Sequence, residues 1–259
     1  MQRLVAFTLA CFIGTFTNVA FAQSERAASS VNLAGEQRVL SQRIPKLYSQ
    51  IGLNVLPSLA TSQLRLATSR FESNLTALKP LVAGSAEATR AYERLSSEWL
   101  GMKTAVSVAI SRDAAEALAR QAEVTLLAAE QLTNIVEEQG KSPASRAVNL
   151  AGRQRMLSQR IAANYLLRSW GIDTPAVRGN LESSVHDFSA GLAKLRSRAD
   201  NSSDIQGELE EVAQQWEWLQ ASLSVEGAGS YRLIVAESAD AILEATDRIT
   251  RLYEQQSRP

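Results

Sequence analysis

The side chains of this protein best suited to chemistry are arginines, and they come in a duplicated setting. Val31-Asn32-Leu33-Ala34-Gly35-Glu36-Gln37-Arg38-Val39-Leu40-Ser41-Gln42-Arg43-Ile44 returns as Val148-Asn149-Leu150-Ala151-Gly152-Arg153-Gln154-Arg155-Met156-Leu157-Ser158-Gln159-Arg160-Ile161. Only Glu36/Arg153 and Val39/Met156 differ between the copies. A guanidinium is planar, permanently charged and rich in donors, so its natural partners are carboxylates and small planar oxyanions. A segment this polar is not explained by core packing alone, because a core asks for apolar bulk. The duplicated segment is therefore read as a probable site on two similar arginine-bearing helices, in which Arg38 and Arg155 have Gly35 and Gly152 beside them and Gln42 and Gln159 one turn further on.

At 100° per residue the motif forms a helix with two distinct faces. Leu33, Gln37, Leu40, Ile44, Leu47 and Ile51 share one stripe, matched by Leu150, Gln154, Leu157, Ile161 and Tyr165, and this stripe is assigned to a bundle core. Arg38 lies on a second face with Val31, Ala34, Gly35, Ser41 and Gln42. Arg155 lies likewise with Val148, Ala151, Gly152, Ser158 and Gln159. Small residues permit close approach of another helix, so this second face is expected to meet its own copy. Two guanidinium groups about 6 Å apart would repel by roughly 3 kcal/mol at an effective dielectric of 20. An anion between them would relieve that repulsion through charge-assisted bonds of about 1.5–3 kcal/mol each.

The repeat extends far beyond the motif. One ungapped offset of 117 residues carries Phe71 to Phe188, Leu75 to Leu192, Leu78 to Leu195, Trp99 to Trp216, Leu126 to Leu243 and Glu137 to Glu254. Sparse Gly and Pro with abundant Ala, Leu, Glu, Gln and Arg favour helices throughout. The expectation is an all-α protein of two tandem homologous antiparallel four-helix-bundle units, residues 23–141 and 142–259. Punctuation supports four helices in each. Ser142-Pro143 and Thr174-Pro175 read as N-caps followed by a first-turn proline, Pro57 opens a helix, Ser111 caps one and Gly140 ends it. The second unit's first helix should run to about Ser169 and its last from about Ser230 to Gln255. Short connections between long helices make neighbours antiparallel.

The ends and composition restrict the function classes. Arg3, the apolar run from Leu4 to Ile13 and Ala20-Phe21-Ala22 read as an export signal over residues 1–22, cleaved after Ala22. Cys11 makes a poor lipobox. Beyond that signal there is no cysteine, and no apolar run approaches the length of a membrane span. Twenty-seven basic residues balance 27 acidic ones, so neither nucleic acid nor an anionic membrane surface is expected as a partner, and the lack of a long apolar run argues against membrane insertion of the mature chain. The single His, His186, has no companion ligands, so no metal and no cofactor is expected. No nucleophile elbow, phosphate loop or His-Glu-x-x-His occurs, and the chain is not read as an enzyme. Trp99, Trp170, Trp216 and Trp218 are read as core or groove fillers, and Arg43, Arg153 and Arg160 as solvated or salt-bridged.

The segment Asn149-Leu150-Ala151-Gly152-Arg153-Gln154-Arg155-Met156-Leu157-Ser158-Gln159-Arg160 resembles the opening helix of the type IV pili methyl-accepting chemotaxis transducer N-terminal domain (PilJ-type). It is also similar to the periplasmic sensor domain of nitrate/nitrite-responsive histidine kinases. In those sensors the helix lies at a dimer interface, and the arginine three residues after the glycine binds the anion from both subunits. The resemblance places that role on Arg155 and Arg38, within one chain rather than across a dimer. It implies a periplasmic sensor-type module that binds nitrate or nitrite and passes its signal to a membrane sensor or chemoreceptor. The alternative is a ligand-free helical module that docks on a chemoreceptor or sensor-kinase ectodomain. Two departures mark the first copy as the more degenerate. Glu36 is expected to bring negative charge near Arg38, and Pro45, where the second copy has Ala162, should kink its helix.

Overall fold

The computed structural model describes residues 8–224 and 229–256, with side chains from residue 26 onward. Residues 1–7 and every side chain of the expected export signal lie outside the described residues. The helices are α1 (Thr8–Gly52), α2 (Pro57–Val82), α3 (Ala86–Val106), α4 (Arg112–Gly140), α5 (Pro143–Ser169), α6 (Pro175–Arg196), α7 (Ser203–Leu223) and α8 (Gly229–Gln255). No strand occurs among the described residues. None of the described helices is long and apolar enough to cross a membrane.

Local chemistry sets the boundaries. Ser111, Ser142, Thr174 and Ser202 each accept a bond from the backbone N–H three residues on, which satisfies a donor that the helix itself leaves unpaired. Pro57, Pro143 and Pro175 occupy first-turn positions where no N–H is missed. At the end of α5, Gly171 takes φ +84°, its N–H donating to the Arg168 carbonyl at 2.8 Å while that of Ile172 donates to Leu167 at 2.9 Å. This left-handed reversal needs a glycine. Helix α1 runs through Pro45 without interruption.

The two units are α1–α4 and α5–α8, each a ring of consecutive antiparallel helices, and they share a seam in which α1 packs on α5. The two seam helices run parallel. At one end Gly140 meets both Ala27 of α1 and Ser145 of α5, and at the other Gly52 meets Trp170. Both faces of the motif helix are consequently covered. Leu40, Ile44 and Leu47 enter the core of their own unit, while Val31, Ala34, Gly35, Arg38 and Ser41 are buried as well. The duplication persists in the packing, since Phe71 lies on Trp99 with centroids 4.0 Å apart and Phe188 on Trp216 at 4.3 Å.

One tryptophan departs from the expectation. Trp170 is half-buried and Trp99 and Trp216 are buried, but Trp218 is 70% exposed. Two residues along a helix is a rotation of about 200°, so Trp218 points away from the stripe of Leu209, Val212, Trp216 and Leu219 that faces the core. The Trp170 ring instead lies across Gly52, where an added Cβ would fall 1.9 Å from Cη2. Gly52→Ala must displace that ring, and a loss of about 1–3 kcal/mol, the usual cost of overpacking, is expected in urea unfolding.

Candidate functional site

Each motif arginine sits in a pocket made by both units. Arg38 is 1% exposed and donates through Nη1 to Glu130 Oε2 of α4 at 3.0 Å and through Nη2 to the Asn149 carbonyl of α5 at 3.4 Å. Arg155 is 3% exposed and donates to Asp247 Oδ1 of α8 at 2.7 Å and to Asn32 Oδ1 of α1 at 2.5 Å. The same 117-residue offset relates Arg38 to Arg155, Glu130 to Asp247 and Asn149 to Asn32. Each guanidinium thus takes a carboxylate from the fourth helix of its own unit and an oxygen from the motif of the other.

The two cations meet over the glycines. A Cβ on Gly152 would stand 3.2 Å from Arg38 Nη2 and 3.4 Å from Arg155 Nη2, and one on Gly35 would stand 3.0 Å from Arg38 Nη2. The small residues provide the space that the guanidinium groups occupy. Burial pushes the Arg38 guanidinium below its usual value, Glu130 opposes that, and the positive charges of Arg155 and Arg153 add to the lowering. The Nε of each arginine is buried with no acceptor. Both guanidinium groups therefore keep donor capacity beyond their carboxylate pairs.

The glutamines behave differently. Gln42 donates to the Ala122 carbonyl of α4 at 3.4 Å and Gln159 to the Ala239 carbonyl of α8 at 2.9 Å, so both brace the motif helix against the fourth helix of its own unit. Ser41 and Ser158 donate back to the carbonyls of Arg38 and Arg155. Of the six candidate residues, the structure brings Arg38, Arg155, Gly35 and Gly152 together and engages the two glutamines elsewhere.

Glu36 corrects an expectation. It turns to α2 and accepts from Arg70 at 2.9 and 3.2 Å, so the carboxylate on Arg38 is Glu130. At the equivalent place in the second unit Arg153 bonds Asp187 at 3.0 Å. The offset maps Glu36–Arg70 onto Arg153–Asp187, an ion pair with its polarity reversed. Arg153 also reaches Glu130 at 3.2 Å, while Asp247 takes Arg251 as its second cation. The remaining motif arginines are salt-bridged: Arg160 to Glu123 at 2.5 Å, and Arg43 to Asp240 at 3.8 Å.

A feature invisible in the motif lies beside Arg38. A cleft of about 440 Å³ opens there, lined by Arg38, Arg146, Arg153, Lys194 and Arg198 against the carboxylates Glu130 and Glu137. At the positions equivalent to Arg146, Arg153, Lys194 and Arg198 the chain carries Ser29, Glu36, Ala77 and Leu81. Four cations of the cleft thus have no basic counterpart beside Arg155, where Arg251 stands in place of Asn134, and the first copy, read from sequence as the degenerate one, holds the arginine with the more basic surroundings among the described residues. Glu130, Asp247, Asn32 and Asn149 were missed as site residues, although the shared offset could have found them.

A family model described as PilJ, Type IV pili methyl-accepting chemotaxis transducer N-term, matches residues 19–125 and again 139–256. No curated protein and no solved structure matches the chain.

Proposed function

Because this chain belongs to the family of type IV pili methyl-accepting chemotaxis transducer N-terminal domains, in two tandem copies, we propose that it is a non-catalytic sensory module binding a small oxyanion such as nitrate or nitrite at the α1–α5 seam. Arg38 and Arg155 are its principal ligands in this reading. The anion enters from the cation-lined cleft beside Arg38, and Glu130 and Asp247 hold the guanidinium groups while no ligand is present. The observation that carries the reading is the pair of buried arginines converging on Gly152 from two homologous helices. An anion that bridges them would tie α1 to α5, and so one unit to the other. The module acts in the periplasm after export, and its signal passes to a membrane chemoreceptor or sensor kinase.

Thermal unfolding and calorimetry with a panel of nitrate, nitrite and other small oxyanions test this. An anion at about 100 times its dissociation constant should add about 2.7 kcal/mol to unfolding stability. Arg155→Ala should remove that gain, and Glu130→Gln should strengthen binding by freeing Arg38 from its built-in carboxylate. A flat response across the panel, or a gain that survives Arg155→Ala, would falsify the oxyanion reading. One observation favours the second reading, a ligand-free module docking on a receptor ectodomain: each arginine already holds a carboxylate. That reading expects no anion response and direct association with a purified receptor ectodomain.

A further inference from the structure

The far half of the α1–α5 seam breaks the internal symmetry at one position. Lys46 is fully buried on α1, with Nζ 2.7 Å from Asp240 Oδ1 of α8 and Arg43 Nη2 3.8 Å from the same oxygen. The 117-residue offset turns Arg43, Lys46 and Asp240 into Arg160, Ala163 and Glu123. The arginine–carboxylate pair is kept, with Arg160 donating to both Glu123 oxygens at 3.0 and 2.5 Å. The lysine is not. Where its side chain would lie there is a cavity of about 600 Å³, whose lining includes Gln42, Pro45, Glu123, Ala163, Asn164 and Leu167. The protein fills one of two equivalent spaces with its own butylammonium group and leaves the other open.

The open space has the chemistry to match. Pro45, Ala163 and Leu167 present an apolar wall for a short aliphatic chain. Gln42 and Asn164 are buried and commit their amide nitrogens to the carbonyls of Ala122 and Arg160, at 3.4 and 2.8 Å. The carboxylates of Glu123 and Glu116 also line the cavity, Glu116 holding Arg120, itself a lining residue, at 2.6 Å. An ammonium group brings three donors and no acceptor, which suits such a set. Glu123 already holds Arg160, but Asp240 accommodates both an arginine and an ammonium at the equivalent place. We propose that the cavity beside Ala163 binds a small aliphatic primary amine in its protonated form, with the chain on the apolar wall and the ammonium at Glu123 as Lys46 sits at Asp240. This proposal does not depend on oxyanion binding, which concerns a different part of the seam.

Titration calorimetry of the full chain with n-butylammonium chloride, n-butanol and sodium butyrate tests it. Butylammonium should bind at one site, with butanol and butyrate weaker by at least about tenfold. Ala163→Lys supplies the missing side chain and should abolish binding, as should Ala163→Leu, which fills the space without charge. Lys46→Ala should open the second space and raise the stoichiometry from one to two. Absence of butylammonium binding to the wild-type chain, equal binding of butanol, or binding retained in both Ala163 variants would overturn the proposal.

Discussion

Arg38→Ala is expected to lower unfolding stability by roughly 3–5 kcal/mol, the cost of removing one partner of a buried ion pair. Arg38 is 1% exposed, and its guanidinium is the part of the side chain that fills the space over Gly35 and Gly152. Truncation leaves that space empty and leaves Glu130, 24% exposed, with Arg153 as its remaining cation. Urea unfolding that follows the midpoint at constant slope is the measurement. The paired change Arg38→Met with Glu130→Leu should lose far less, because apolar replacement of both partners avoids an orphaned charge. Arg155→Ala should also cost less than Arg38→Ala, since Asp247 is more exposed and keeps Arg251. A loss below about 1 kcal/mol for Arg38→Ala would show that the buried pair contributes no more than a surface one.

In the proposed oxyanion reading, the same contacts would let one motif serve both stability and recognition. The carboxylates of α4 and α8 neutralise arginines that would otherwise repel one another across the seam, and the asparagines of the opposite motif orient them. A ligand anion has to offer more than Glu130 and Asp247 already give. That requirement favours an entry from the Arg38 side, where Arg146 and Lys194 add positive charge and have no carboxylate partner among the described residues.

Much of this was legible in the sequence because the chain states its symmetry openly. The offset that carries Phe71 to Phe188 and Trp99 to Trp216 is the relation that stacks those pairs in two equivalent cores. The small-residue face of Val31, Ala34 and Gly35 announced a close helix contact, and the cap signals at Ser111, Ser142 and Thr174 announced where helices begin. What stayed hidden depends on neighbours distant in sequence. Glu36 lies two residues from Arg38, yet its partner is Arg70 on another helix. A wheel gives the direction of a side chain but not what stands opposite. Lys46 is hidden for the same reason: a lysine in an amphipathic helix reads as solvated, and only the arrival of α8 with Asp240 makes it a buried ion.

That buried lysine should govern stability in mildly alkaline solution. Burial pushes the Lys46 ammonium down from 10.5 to about 8, with Asp240 opposing the fall and Arg43 adding to it. The unfolded chain therefore holds this proton between pH 8 and 10.5 while the folded chain has released it. Stability from this group rises with pH across that interval, is complete above the unfolded value, and is lost as pH falls through about 8. The slope approaches about 1.4 kcal/mol per pH unit, or roughly 3 kcal/mol across the whole interval. Tyr48 and Tyr253 have raised values whose contribution runs the opposite way above pH 10, so the useful window is pH 8 to about 9.5. Lys46→Met keeps the apolar stem and removes the titrating group, while Asp240 retains Arg43 within 3.8 Å. Its stability at pH 7 should equal or exceed that of the wild type, and the gap should shrink as pH rises through the window. Chemical unfolding of both proteins at half-unit pH steps gives the difference directly. A difference that stays constant with pH would mean that Lys46 releases its proton no more readily in the folded chain than in the unfolded one, and that the pocket at Asp240 is wetter than its burial implies.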